Sequence, residues 1–175
     1  MKLITAVMLF AATLHAQDSN PLIASSKTIN GISRKNILAS VEKAPESLWS
    51  FRPTKDVRTF GQIIAHVADA QYEFCGLINE GKSVNKGIEK TAKTKAEVGA
   101  ALKDAFAYCD TAYAKISDAN SSEPVSLFGM NLTKLALMDF NTAHNMEHYG
   151  NLVTYMRING IVPPSSEART PAAIK

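Results

Sequence analysis

Two histidines in the C-terminal half of the chain have the spacing of a metal-binding pair. His144 and His148 lie four residues apart in a long segment that is rich in apolar residues. Because one α-helical turn takes about 3.6 residues, both imidazoles project from the same helix face, one turn apart. This spacing lets one helix present two ring nitrogens to a single ion about 2.1 Å away. The alternative is a pair of half-buried structural histidines, but burying two imidazoles without partners costs stability, which favours a shared role.

A third histidine, His66, lies on the flank of an apolar stripe in an earlier helical segment. At about 100° per residue, Asp69 and Glu73 share this flank. A histidine there can face a groove instead of the core. A lone histidine on a helix flank is more often part of a hydrogen-bonded structure than a metal ligand, so both interpretations stay open; if His66 converges with the pair, the three form one three-nitrogen metal site. We rank Asp69 and Glu147 first as carboxylates that orient a ligand or accept a proton. Each is also explained as ordinary charge on a helix surface.

Four segments with helical periodicity must position these side chains. We predict helices over residues 26–44, 59–79, 95–116 and 131–159. Thr59 and Gln62 fit a capping box at the start of the second helix, and Asn131 or Thr133 begins the fourth. Apolar residues spread almost all round the fourth segment, which is typical of a helix surrounded by others. We predict no strand of useful length, apart from a short extended piece near 125–128, and therefore an all-α four-helix bundle.

The two ends of the chain differ in composition from the bundle. Residues 1–16 combine an early lysine, a short apolar run and a small final residue, as a cleavable signal peptide does. The apolar run is too short to span a bilayer comfortably, so we expect a secreted or periplasmic protein without a stable membrane anchor. Residues 20–164 form the predicted bundle domain. Residues 165–175 lack an apolar pattern and are predicted to be a flexible tail.

Charge and cysteine content restrict the possible partners and chemistry. The formal net charge of +3 is small, and the lysines clustered over residues 82–95 have Glu89 among them and Glu97 just after them, but no aromatic residues between them. We therefore predict no nucleic-acid partner. The chain has neither a Gly-x-Ser-x-Gly motif nor a glycine-rich phosphate loop. Cys75 and Cys109 lie inside predicted helices, where disulfides are less usual, so we favour unpaired cysteines; a disulfide requires that their helices be neighbours.

Four features follow one another in a specific order along almost the whole predicted mature chain. A loop over residues 51–54 leads through residues 57–61 to His66, and the pair of histidines is followed by a distinctive run over residues 148–165. This ordered set resembles the DinB superfamily. The resemblance implies an up-down-down-up four-helix bundle that binds one divalent ion, often zinc or nickel, through three histidines. It also implies positions on the ion left for water or substrate, and frequent homodimers.

The resemblance leaves three functions open. Members with assigned chemistry include thiol-dependent transferases and isomerases, as well as metal-dependent hydrolases. Our leading hypothesis is a secreted metal-dependent hydrolase that acts on a small molecule through His66, His144 and His148. A thiol-dependent S-transferase or isomerase on the same ion is the first alternative, although export separates the protein from mainly cytoplasmic thiols. The second alternative is a non-catalytic metal-containing bundle that binds a small molecule or a partner, since no motif fixes an acid or base residue.

Overall fold

The computed structural model describes residues 20–167, a helical chain interrupted by one β-hairpin. The predicted signal peptide and residues 168–175 of the predicted tail lie outside the described residues. In chain order the elements are α1 (Pro21–Lys43), α2 (Glu46–Trp49), α3 (Phe60–Asn79), α4 (Ile88–Thr91), α5 (Lys95–Lys115), β1 (Pro124–Leu127), β2 (Met130–Thr133), α6 (Lys134–Ile158) and a closing 3-10 turn (Pro164–Ser166).

The long helices α1, α3, α5 and α6 form the predicted four-helix bundle. Both α1 and α3 pack against α5 and α6, so the four helices surround one core in the order α1, α5, α3, α6. Ser26 donates to Asp139 and Asn30 donates to Thr142 across the α1–α6 contact. Because residue numbers rise together along this contact, α1 and α6 run parallel.

The neighbouring helices α3 and α5 also run parallel, and a disulfide joins them. Ala65 and Val98 border one cavity near the start of both helices, and Cys75 is bonded to Cys109 further along. The expectation of unpaired cysteines was therefore wrong. The two helices pack side by side with their cysteines facing each other, which brings the two Cα atoms to 5.2 Å, within the normal range for a disulfide.

The contact between α3 and α6 is antiparallel and completes the topology. The Gln71 amide donates to Asn141 at 3.0 Å, and the Tyr155 hydroxyl donates to the carbonyl of Arg58, just before α3. Residue numbers therefore fall along α6 as they rise along α3. With α1 and α6 parallel and α3 and α5 opposed to them, the bundle has the up-down-down-up order that the family resemblance implied.

Helix starts follow local capping in one case and a distant side chain in another. Thr59 and Gln62 form the predicted capping box at the start of α3. In contrast, α1 begins at Pro21, five residues before the predicted start. Its first turn is capped by Asp118, whose carboxylate accepts from the backbone N–H groups of Leu22 and Ile23. A cap supplied by a residue so distant in the sequence leaves no local signal, and the local signal that exists, Pro21 at the first helical position, was overlooked.

The hairpin between α5 and α6 is larger than predicted. β1 corresponds to the extended piece expected near 125–128, but its antiparallel partner β2 was missed. Most residues of β2 are exposed, so the strand lacks the alternating apolar pattern that would reveal it. Thr133 then caps α6, its hydroxyl accepting from the backbone of Ala136 at 3.1 Å.

The surface position of α6 corrects a second expectation. Phe140, Met146 and Ile158 are exposed, so this helix is not surrounded by others. A bundle of four helices places each member at the surface, and apolar residues on the outer side of α6 remain accessible. Among the described residues, no helix is long and apolar enough to cross a membrane.

Contacts at the two ends of the bundle hold its connecting segments. Trp49 packs edge-on against Phe60 with ring centroids 5.9 Å apart. At the C-terminal end, the backbone N–H of Ser165 donates to the Tyr149 hydroxyl, and Glu167 forms an ion pair with Lys43. The first residues after the predicted bundle domain therefore lie against the bundle.

Candidate metal centre

Three histidine side chains converge where α3 crosses α6. His66 lies in the second turn of α3, and His144 and His148 lie one turn apart on α6. Nε2 of His144 is 3.2 Å from Nε2 of His66 and 3.0 Å from Nε2 of His148. The antiparallel packing of α3 and α6 thus brings together the three residues that the sequence singled out as metal ligands.

The nitrogen atoms have the separation expected of ligands that share one ion. Ligand nitrogens about 2.1 Å from a tetrahedral zinc ion lie about 3.4 Å from one another. The observed separations of 3.0 and 3.2 Å are close to this value. Over the described part of the chain, these histidines form the one cluster of three or more potential metal ligands.

Burial keeps the three imidazoles neutral, which leaves a lone pair on each ring. Burial, with the neighbouring His148 and His66 rings, lowers the pKa of His144 to about 3. Burial, with His66, lowers the pKa of His148 to about 4. Burial and the Arg58 guanidinium also lower the pKa of His66, against the opposing effect of nearby carboxylates. Neutral imidazole is the form that binds metal.

Hydrogen bonds among the rings do not account for the cluster. Within the described residues, the buried Nδ1 atoms of His144 and His148 have no hydrogen-bond partner. A neutral ring has one proton. If this proton is on Nε2, the Nδ1 lone pair of the same ring is buried without a donor; if it is on Nδ1, the Nε2 lone pairs face one another. In the second arrangement a cation bound by the three Nε2 atoms removes the repulsion between their lone pairs, so these atoms fit a divalent ion.

Buried amides below the histidines fix the contact between α3 and α6. The side chains of Gln71, Asn141 and Asn145 are fully buried. The Gln71 Nε2 group donates to Asn141 at 3.0 Å and to Asn145 at 2.8 Å, and Asn141 donates back to Gln71 Oε1 at 3.0 Å. Such a buried network sets one register between two helices, and with it the positions of the histidines one turn further along α6.

The two predicted carboxylates have different surroundings. Glu147 is exposed next to His148, at the edge of a cleft of about 570 Å³ that His148, Arg58 and Asn151 also line. Both oxygens of Asp69 accept backbone N–H groups, from Ile88 at 2.8 Å and Glu89 at 2.9 Å. Asp69 therefore holds the short helix α4 in place, whereas Glu147 is open to solvent and to a bound molecule.

One carboxylate near the site was missed by the sequence reasoning. Glu89 on α4 lies with Oε2 3.6 Å from Nδ1 of His66, and its Oε1 accepts from Nε of Arg58 at 2.9 Å. In the sequence, Glu89 is one charge in a lysine-rich connector. No periodicity relates it to His66, because the two residues lie on different helices joined by an irregular loop.

The fold and the histidine cluster define a class: small four-helix bundles with three histidines placed to hold a divalent ion on two antiparallel helices. The chain belongs to the DinB superfamily, whose family model matches residues 32–152. The resemblance stated from the sequence is thereby confirmed.

Solved structures show the same fold at low sequence identity. A DinB-like protein from Bacillus subtilis is 19% identical, with a TM-score of 0.64 over 86% of this chain and 100% of the other. A DinB-like protein from Bacillus cereus is 13% identical, with a TM-score of 0.67 over 81% of this chain and 93% of the other. No curated protein matches the chain. The likeness to the two Bacillus proteins concerns the fold alone.

Proposed function

We propose that this protein is an exported enzyme that hydrolyses a small molecule with the help of one divalent ion, zinc or nickel, bound by His66, His144 and His148. The observation that carries the proposal is the convergence of three neutral imidazoles with Nε2 separations of 3.0 and 3.2 Å. Three nitrogen ligands are the protein ligand set of several catalytic zinc sites.

In the proposed reaction the ion and the residues that line the cleft have different roles. A divalent ion held by His66, His144 and His148 would lower the pKa of a bound water and would polarise a carbonyl or phosphoryl oxygen. Glu147 lies at the rim of the cleft beside His148, where its carboxylate can accept a proton from the nucleophile. Arg58 and Asn151 line the same cleft with polar groups that suit a small polar substrate. We place Asp69 second to Glu147 as a base, because both of its oxygens are used by backbone N–H groups.

Elemental analysis of untagged protein tests the metal site first. We expect near-stoichiometric zinc, nickel or another divalent ion in the wild type, and loss of this ion in His66→Ala and His144→Ala while helical content is kept. Lys35→Ala, on the exposed surface of α1, serves as a control that retains the ion. A wild-type protein that stays metal-free after incubation with each candidate ion would overturn the proposal.

A substrate screen then tests the reaction. Metal-loaded protein is assayed on panels of esters, amides and phosphoesters, with and without added thiols. For hydrolysis we expect thiol-independent turnover that falls about 100-fold or more in Glu147→Gln, with metal content unchanged; Glu42→Gln on α1 is the matched surface control. Turnover that requires a thiol would assign the S-transferase alternative. A metal-loaded protein without turnover on any panel would favour the non-catalytic alternative.

The disulfide supports the proposed export. Disulfides persist in oxidising compartments and are rare in the cytosol, and Cys75 and Cys109 are bonded in this fold. Expression of the full chain in a bacterium with a periplasm, followed by fractionation and intact mass measurement, tests this part. We expect a periplasmic species shortened at its N-terminus by the mass of about the first 16 residues; a full-length cytosolic product would contradict it.

A further inference from the structure

We propose that Glu89 is a positioning residue that holds a proton on Nδ1 of His66 and so turns the Nε2 lone pair toward the other two histidines. The inference rests on the proposed metal site, because it assigns Glu89 a role toward one of the three ligands. In the metal-free protein, too, the proton of His66 is expected on Nδ1.

The geometry places the carboxylate of Glu89 beside the outer nitrogen of His66. Oε2 lies 3.6 Å from Nδ1, and both side chains are about one quarter exposed, at 27%. This distance is longer than a hydrogen bond, but a small rotation of either side chain brings the two atoms within hydrogen-bond reach. Oε1 is held by Nε of Arg58 at 2.9 Å, so Arg58 leaves the second oxygen facing the imidazole.

The backbone around Glu89 is anchored to the same helix that carries His66. Asp69, one turn after His66 on α3, accepts the backbone N–H groups of Ile88 and Glu89. Ile88 is itself buried in the main core, at 7% exposure. The short helix α4 is therefore held at both a polar and an apolar contact. This explains how a residue on an irregular connector is held beside an imidazole of α3.

The surroundings of the Nδ1 atom distinguish His66 from His144 and His148. Within residues 20–167, the Nδ1 atoms of His144 and His148 have no hydrogen-bond partner. A carboxylate near one ring nitrogen favours the tautomer with the proton on that nitrogen, and such partners orient metal-binding imidazoles. Glu89 thus provides for His66 a control of tautomer that no hydrogen-bond partner among residues 20–167 provides for His144 and His148.

Two measurements on one set of variants test the role of Glu89. Glu89→Gln removes the charge with little change in shape, and Asp69→Asn weakens the attachment of α4. Glu73→Gln is the matched control, because Glu73 lines the same cavity as Glu89 and Asp69 but has no contact with His66. Nitrogen-15 NMR of the metal-free proteins at pH 8 reports the tautomer of each histidine, and competition with a chromophoric chelator gives the Kd for zinc. Circular dichroism checks that each variant keeps its helical content.

We expect the proton of His66 to be on Nδ1 in the wild type and in Glu73→Gln. In Glu89→Gln the Nε2-protonated form should gain population and the Kd for zinc should rise about 10-fold or more. Asp69→Asn should shift both readouts in the same direction by a smaller factor.

A wild-type His66 protonated on Nε2, or a Glu89→Gln variant that matches Glu73→Gln in both readouts, would overturn the inference. If the wild type binds neither zinc nor nickel nor another divalent ion, the proposed function fails, and the tautomer of the metal-free protein still decides the role of Glu89.

Discussion

At the scale of single residues, the chemistry of the site depends on imidazoles that the protein keeps neutral. Burial lowers the pKa of His144 to about 3 and that of His148 to about 4. The unfolded chain restores a pKa near 6.5 to both. At pH values between the lowered pKa values and 6.5, the unfolded state binds more protons than the folded state. Lowering the pH in this range therefore favours the unfolded state of the metal-free protein.

This difference predicts a pH-dependent stability. The free energy of unfolding of the metal-free protein should fall as the pH is lowered from about 6.5 toward 4, because protons bind preferentially to the unfolded histidines. Urea unfolding at pH 7 and pH 4.5 measures the change. His144→Gln should lose less stability over the same interval than the wild type, since it has one buried imidazole fewer. Equal losses in both proteins would show that other groups dominate the acid sensitivity.

The three histidines were accessible to sequence reasoning, whereas Glu89 was not. The helical spacing of His144 and His148 identified them as a pair, and His66 was identified by its position on the flank of an apolar stripe. The position of Glu89 depends on the conformation of a connector and on Asp69. The carboxylate of Asp69 on α3 accepts hydrogen bonds from backbone N–H groups of α4. A contact between two elements without a shared periodicity has no signature in the order of residues.

At the scale of elements, local rules explain some boundaries and tertiary contacts explain others. The capping box at Thr59 and the cap at Thr133 are encoded within a few residues of each helix. The start of α1 depends on Asp118, and the disulfide depends on which helix becomes the neighbour of α3. The sequence therefore predicted the four long helices, but not the contacts that arise once they pack.

Substitution by alanine should have opposite effects on stability at two glycines, one at the junction between α2 and α3 and the other in α1. A Cβ atom on Gly61 would lie 2.7 Å from Cε2 of Trp49, whereas one on Gly31 would meet nothing within 4 Å. Gly61→Ala should destabilise the protein by about 1–3 kcal/mol, since the rigid indole ring must move. Gly31→Ala in α1 should stabilise it by about 0.5–1 kcal/mol. Urea unfolding measures both values, and tryptophan fluorescence should change in Gly61→Ala alone.

The disulfide between α3 and α5 gives a second prediction at this scale. It closes a loop whose ends are 34 residues apart, which corresponds to about 3–4 kcal/mol of stabilisation in the loop-entropy description. The double variant Cys75→Ala, Cys109→Ala should lose about this much free energy of unfolding while keeping its helical content. Dithiothreitol should lower the stability of the wild type and leave the double variant unchanged. A reductant effect of equal size in both would point to a cause other than this bond.

At the scale of the whole molecule, the order of the helices determines which residues can meet. In the up-down-down-up arrangement α6 is antiparallel to α3 and parallel to α1, so the histidines face α3 on one side and polar residues face α1 on the other. Periodicity identified the four helices but left their order open. The order was expected from the family resemblance, and the contacts of the described residues confirm it.

Homodimerisation remains a prediction, and an exposed apolar surface on α1 offers a way to test it. Leu22, Ile29 and Ile32 are each more than half exposed along one side of α1. If the homodimer implied by the family resemblance uses this side, a variant with both Ile29→Glu and Ile32→Glu should sediment as a monomer while the wild type sediments as a dimer. Lys27→Glu, at an exposed position on the opposite side of α1, is the control. A wild type that is monomeric at high micromolar concentration would contradict the prediction.

The disulfide also has a consequence for the choice of metal. The sequence contains two cysteines, and both are bonded to each other. Oxidised protein therefore offers no thiolate to soft ions such as Cu(I), while the imidazoles suit borderline ions such as zinc and nickel. Reduction would create a pair of soft ligands on neighbouring helices, with Cα atoms 5.2 Å apart. If the three histidines hold a metal ion, the oxidation state of this pair would thus help to decide which ions the protein binds.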